Sequence, residues 1–502
     1  MLKNMPRLHS AGYTGRRNAV TIVGVPRTIP ALLILAAACG TAPRRADTVL
    51  YASGADLQSI NPLLTLHPLA RQVQRYVLLT TLARYDAALV PQPYLARAWS
   101  WSDDRRTLTF ALRTDVRWHD GVPTTAGDVA WTLDAARDPA TGYPRLTDLA
   151  VLDSARALDD STVALSFASP QDRFPDVLTD LAVLPAHLLA ATPHAALRRA
   201  AWNDAPVGNG PFVFVSHEPN RRWVFRANPD FPAALGGPPR LARLILVVVD
   251  EPTTKLAALT SGELDVAGIQ PAHAAFVARD PDLRVLTYPL LFNYGIVFNR
   301  SRPPFDRLDA RTAVTFAVNR REIVEGYAYG FATAAAGPVP PDVPGAISSQ
   351  PPPYLPDSAR ALLGRHPLTF ELLTVGSGEA ALEQLLQAEL ARAGIRITIR
   401  QLELSAFLGR VYGPHPDFTA AVVGTSGDLG LGYLTPLAGL GAPDGWTAPS
   451  DPATLQRYFA DSTPVAFLYN ARGLQGLRRR VQGVRMDLRG ELVTVHDWWI
   501  LP

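Results

Sequence analysis

Hydrophobic and polar positions change period several times along this chain, and each change marks an element. From 107 to 113, Leu108, Phe110 and Leu112 alternate with Thr107, Thr109, Ala111 and Arg113, the period of two of a half-buried strand. Val163, Leu165 and Phe167 repeat that alternation before Pro170 ends it. Residues 244–249 are apolar without interruption, which predicts a strand buried on both faces. Val73, Val77, Leu78 and Leu82 fall at helical spacing within 69–82. Residues 253–259, 311–318, 320–324 and 379–393 read as further helices, the last followed by Gly394 just past its C-terminus. With strands at 368–373 and 395–399 it forms a strand–helix–strand unit, which places the chain in the α/β class with parallel or mixed sheets. Thr125 is a suitable N-cap for another helix, with Asp128 three positions on to close a capping box. Pro206-Val207-Gly208-Asn209-Gly210-Pro211-Phe212 predicts a sharp reversal into a strand.

At 502 residues the chain exceeds one ordinary core and predicts two or more domains. Its 48 basic and 45 acidic residues nearly balance, and no basic stripe interleaved with aromatics appears, so nucleic acid is excluded as a partner class. The single cysteine, Cys39, has no internal disulfide partner. It follows the apolar run 29–38, which is shorter than the roughly twenty residues a membrane span needs. Arg16, Arg17 and Arg27 precede that run and small residues end it, the layout of a secretory signal peptide. Small residues before a cysteine resemble a bacterial lipobox, although Ala36 stands where leucine is usual. That resemblance implies a signal peptide over 1–39, lipid on Cys39, a polar tether over 40–47, and contact with the membrane through the anchor.

A longer match gives the fold. Leu95-Ala96-Arg97-Ala98-Trp99, then Leu108 to Arg113, then Trp118-His119-Asp120-Gly121, then Thr125-Ala126-Gly127-Asp128-Val129 follow one another in the order and spacing of a block found in peptide/nickel solute-binding proteins. Ser59-Ile60-Asn61-Pro62, the reversal at 206–212, Ser261-Gly262-Glu263-Leu264-Asp265, and residues 292–324 with Pro303-Pro304-Phe305-Asp306 continue the match. Asn209 and Asn319 replace the usual Thr and Asp. The chain therefore resembles bacterial extracellular solute-binding proteins of family 5, the substrate-binding lipoproteins of peptide/nickel ABC importers. The resemblance implies a two-lobed periplasmic-binding-protein fold (class II, three-subdomain type) with mixed sheets and a hinge. It implies a first lobe of 48–85, 205–275 and 485–502, a subdomain inserted at 86–204, and a second lobe of 276–484. Where relatives carry several dozen residues with two helices, this chain has only a short link at 441–461.

Chemistry-bearing patterns are few. Asp120-Gly121 is a turn signal, and His119-Asp120 lacks the spacing of a triad. The ten histidines include no HExxH, and there is neither a GxSxG elbow nor a Walker loop, so the expectation is a binding protein without catalytic residues, metal or cofactor. Asp428, in the glycine-rich stretch 424–430, is the charged candidate for the site. In the resembled family an acid near this place receives a peptide's α-ammonium; a solvated turn residue is the competing reading. Trp446, Asn293 and Tyr294 are candidate walls, whereas Trp99, Trp101, Trp118 and Trp131 are expected to pack the first lobe. The implied partners are a peptide or other small solute and the transmembrane subunits of an importer, with nickel chelates, small sugars or opines, and a sensor role, as alternatives.

Overall fold

The computed structural model describes residues 47–501 except 66, 365, 366, 377, 414, 428 and 450. Cys39, the segment 1–39 and all but the last residue of the tether lie outside the described residues, as does Asp428.

The strands, in chain order, begin with β1 (Thr48–Ser53), β2 (Ala83–Tyr85), β3 (Pro91–Pro93), β4 (Ala96–Trp101) and β5 (Thr107–Leu112). Then come β6 (Leu152–Asp159), β7 (Thr162–Phe167), β8 (Phe212–Glu218), β9 (Arg222–Ala227), β10 (Arg243–Val248) and β11 (Val266–Gly268). The second half holds β12 (Leu283–Phe298), β13 (Ala332–Ala334), β14 (Thr369–Val375), β15 (Arg396–Leu402), β16 (Ala420–Ser426) and β17 (Val465–Arg478). A mixed sheet runs β15-β14-β16-β12-β17-β11-β1-β10-β9-β8, with β13 also paired to β17. A separate antiparallel sheet runs β4-β5-β7-β6, and β2 and β3 form a hairpin.

Two long strands, β12 and β17, join the two halves of the large sheet. β12 meets β17 over 283–289, loses register between Pro289 and Asn293, then meets it again while pairing with β16 from Phe292 onward. Between the pairs Pro289–Arg472 and Asn293–Asn470, three residues of β12 oppose Ala471 alone, a bulge that bends the ladder.

Beyond the bulge, successive residues serve two cores. Ile296 and Phe298 of β12, Val422 of β16 and Leu468 of β17 enter one cluster, while Val297, Val423 and Phe467 enter another. This half of the sheet is buried on both faces. The run 244–249, expected to be buried on both faces, is not: β10 alternates, with Leu244 and Leu246 fully buried and Ile245, Val247 and Val248 half-buried. Its second face meets only a small cluster around Leu259 and Val277, which leaves it partly in solvent.

The main core of the other half includes Tyr51, Phe110, Trp118, Phe212, Phe225 and Trp498. Trp99, Trp101 and Trp131 pack on it, as expected. The helical segment expected over 69–82 is short, an α-helix Pro68–Val73 continuing as a π-turn Gln74–Leu78. The link at 441–461 is not bare: it holds most of a helix, Pro452–Ser462, capped by the Asp451 side chain accepting from Thr454 N at 2.8 Å.

Candidate functional site

A cleft of about 480 Å³ opens between two sets of residues far apart in sequence. One wall is Tyr85, Leu89 and Pro91 from the β2–β3 hairpin, with Arg173, Phe174 and Asp176. The other is Pro344 and Gly345, Leu429 and Leu431, and Asp451, Pro452 and Ala453.

The first wall is held from behind by the block that carried the sequence match. Phe174 lies 4.9 Å from Trp99 and 6.1 Å from Phe110, ring to ring. Trp118 Nε1 donates to the Asp128 carboxylate at 3.2 Å, and Asp128 also accepts from Thr125 N and Ala186 N at 2.8 Å each. His119 N donates to Gly208 O at 2.7 Å, and its Nε2 lies 3.0 Å from Gly210 O. Burial pushes the His119 imidazole down to about 4, so the ring is neutral near pH 7. The reversal at 206–212 is thus tied to the His-Asp-Gly turn, and a side chain at Gly208 or Gly210 would strike the backbone of Leu78. Asn209 fills its departure from the family pattern usefully: its carbonyl accepts from Thr80 N at 2.9 Å and its amide donates to Thr124 Oγ1 at 3.2 Å.

The hairpin loop is stapled by Asp86, whose carboxylate accepts from Ala88 N, Val90 N and Gln92 Nε2, each at 2.9 Å. The hydrogen bond from Val90 is the main cause holding that carboxyl below its usual range. Tyr85 donates to Asp176, and burial together with that carboxylate pushes its phenol upward.

On the second wall, Gln456, 3 % exposed, accepts from Ile347 N at 3.0 Å and donates to Gly345 O at 2.8 Å, fixing the 344–347 turn on the helix Pro452–Ser462. Gly427 N donates to Leu291 O at 2.7 Å, and Tyr433 donates to Pro338 O at 2.8 Å, so the loop after β16 is held at both ends.

Of the residues singled out from sequence, Asp428 lies between Gly427 and the cleft-lining Leu429 but outside the described residues. Asn293 is buried, at the bulge, with Nδ2 donating to Pro338 O at 2.8 Å. Tyr294 is half-buried and stacks on Tyr469 at 4.8 Å. Trp446 packs 5.7 Å from the Tyr458 ring, with the Arg300 guanidinium 5.7 Å from its own. None of these three lines the cleft. Leu89, Arg173, Phe174, Leu431 and Asp451 do, and no motif marks them; only Gly430-Leu431-Gly432 and the Asp451-Pro452 helix start carry a local signal of a loop.

Among the described residues there is no group of three or more His, Cys, Asp or Glu placed to hold a metal ion, and no helix long and apolar enough to cross a membrane.

The family model for bacterial extracellular solute-binding proteins, family 5, matches residues 90–442, and the chain belongs to that family. A Brucella ovis protein named as a putative ABC transporter peptide-binding protein is 32 % identical over 330 residues, 63 % of this chain and 62 % of the relative. The chain thus matches about three-fifths of that relative's length. Di/tripeptide-binding protein 2 of Pseudomonas aeruginosa is 28 % identical over 429 residues, 78 % of this chain and 77 % of the relative. The structure of NikZ from Campylobacter jejuni in complex with Ni(L-His) superposes with a TM-score of 0.76 at 21 % identity, covering 91 % of this chain and 100 % of NikZ. The fold is the two-lobed periplasmic-binding-protein fold, with mixed sheets.

Proposed function

We propose that this protein is the solute-capturing component of an ABC importer, holding a peptide-like solute in the cleft and presenting it to the membrane subunits without covalent chemistry. The observation that carries the reading is the cleft itself, walled by segments on both sides of a bent two-strand connection. Its volume of about 480 Å³ lies within the range of roughly 300–1,000 Å³ usual for small-ligand sites. We place the flexing point at 289–293 of β12 and 470–472 of β17, where the ladder changes register. Capture is then closure of the second lobe on the first and its inserted subdomain. Asp428, beside Leu429, is proposed to face the ligand's ammonium group. Lipid on Cys39 is proposed to hold the protein at the outer face of the membrane.

The relatives named for peptides favour a peptide ligand, and NikZ with its nickel–histidine complex supports a metal chelate as the second reading. Native mass spectrometry of the protein purified without denaturation separates them. A ladder of peptide masses supports the first reading, and one metal-chelate mass overturns it. Mass analysis of the mature N-terminus tests the anchor: a diacylglyceryl increment on Cys39 is expected, and an unmodified or uncleaved N-terminus refutes it.

A further inference from the structure

Seven non-glycine residues among those described have positive φ, and only two of them are aliphatic, Leu89 and Leu431. Both sit at φ +60, and both line the cleft, one on each wall. A bulky residue in the left-handed region is strained, and such strain persists only where the surroundings over-determine it. Here they do: Asp86 O accepts from Leu89 N at 3.0 Å while the Asp86 carboxylate takes its neighbours, and Leu431 O accepts from Leu434 N at 3.2 Å above a loop fixed at both ends. Leu89 is half-buried and belongs to no core cluster among the described residues, so its side chain serves the cleft, whereas Leu431, 6 % exposed, is packed in a core and offers the cleft its edge. With Phe174 they form an apolar slot.

Two carboxylates and one guanidinium border that slot, and they differ in whether they have partners. Asp176 accepts the Tyr85 hydroxyl and Asp451 caps its helix, so both described carboxylates of the cleft are engaged. Arg173, exposed and next to Phe174, makes no ion pair or hydrogen bond among the described residues. An apolar pocket adjoining an uncommitted guanidinium matches a residue whose side chain and carboxylate leave the same carbon.

Building on the peptide-capture reading, we propose that the cleft selects short peptides by their C-terminal residue. Its apolar side chain enters between Leu89 and Leu431 against Phe174, and its carboxylate pairs with Arg173.

Calorimetric titration of the full chain, stripped of any retained ligand, tests this with Ala-Ala-Leu, its C-terminal amide and Ala-Ala-Gly. Ala-Ala-Leu is expected to bind about tenfold or more tighter than either analogue. Arg173→Gln should weaken Ala-Ala-Leu about tenfold and leave the amide unchanged. Leu89→Gly should remove the preference for leucine over glycine while the thermal midpoint stays level or rises, since glycine relieves the backbone. Equal affinity for all three peptides, or variants that change none of these ratios, overturns the C-terminal assignment while leaving peptide capture standing. No binding of these peptides or of a mixed peptide pool to the wild-type protein overturns both.

Discussion

Two titratable groups, one half-buried and one fully buried, give this protein opposite responses to pH. His119 has its Nε2 on Gly210 O and a buried Nδ1 with no hydrogen-bond partner among the described residues, so a second proton would find no acceptor. Its folded pKa of about 4 lies below the ordinary 6.5, so the unfolded chain binds more protons between those values. Stability is therefore lost as pH falls from 6.5 toward 4, by up to about 3 kcal/mol. His119→Gln, followed by urea unfolding at pH 7 and pH 4.5, should flatten that slope. Glu389 acts the other way. It is fully buried, its Oε2 accepts from Asn319 N at 2.8 Å, and its Oε1 is unpartnered among the described residues. Burial pushes it up to about 7 from 4.5, so stability falls as pH rises through that interval. Glu389→Gln should leave stability at pH 4.5 nearly unchanged and raise it above pH 7, measured as the denaturation midpoint.

At the scale of elements, the helix Ala126–Arg137 shows how a motif becomes a wall. Its third residue, Asp128, closes the capping box with Thr125 and also binds Trp118 and Ala186. Asp128→Ala should cost more than the roughly 1 kcal/mol of a lost cap, because Trp118 Nε1 and two backbone N–H groups lose their acceptor together; about 3 kcal/mol by chemical denaturation is expected. This helix was legible in sequence because capping is a local code, as were β5, β7 and the strand–helix–strand unit of β14 and β15. The apolar run of β10 misled because hydrophobicity does not report how much structure covers each face; the sheet supplies a full core on one side and a small cluster on the other. The cleft was hardly legible. Leu89, Phe174 and Leu431 are ordinary apolar residues, and what makes them a site is backbone conformation and a juxtaposition across hundreds of residues. Leu429, next to Asp428, is where sequence came nearest to it.

At the scale of the molecule, the proposed capture has the two lobes approach by bending β12 and β17. Small-angle scattering should show a smaller radius of gyration on adding a bound peptide, and an unchanged value with saturating ligand would refute closure. The same two strands also divide the chain's sequence unevenly. The two cores on either face of β12, β16 and β17 are drawn from residues 296–469, whereas the main core joins the two ends of the described chain: Tyr51 donates to Glu491, and Trp498 stacks on Tyr51 at 6.4 Å. A chain ending after Arg478 should therefore keep the second lobe's protected amides in hydrogen exchange and lose those of β1 and β10. For a polypeptide delivered from its N-terminus, this nesting means that the first part to emerge waits longest for its partners. Residues near Tyr51 stay unfinished until some 440 later residues have followed. The cleft proposed for cargo, which needs both lobes, is thus not completed before the last stretch of the chain has arrived.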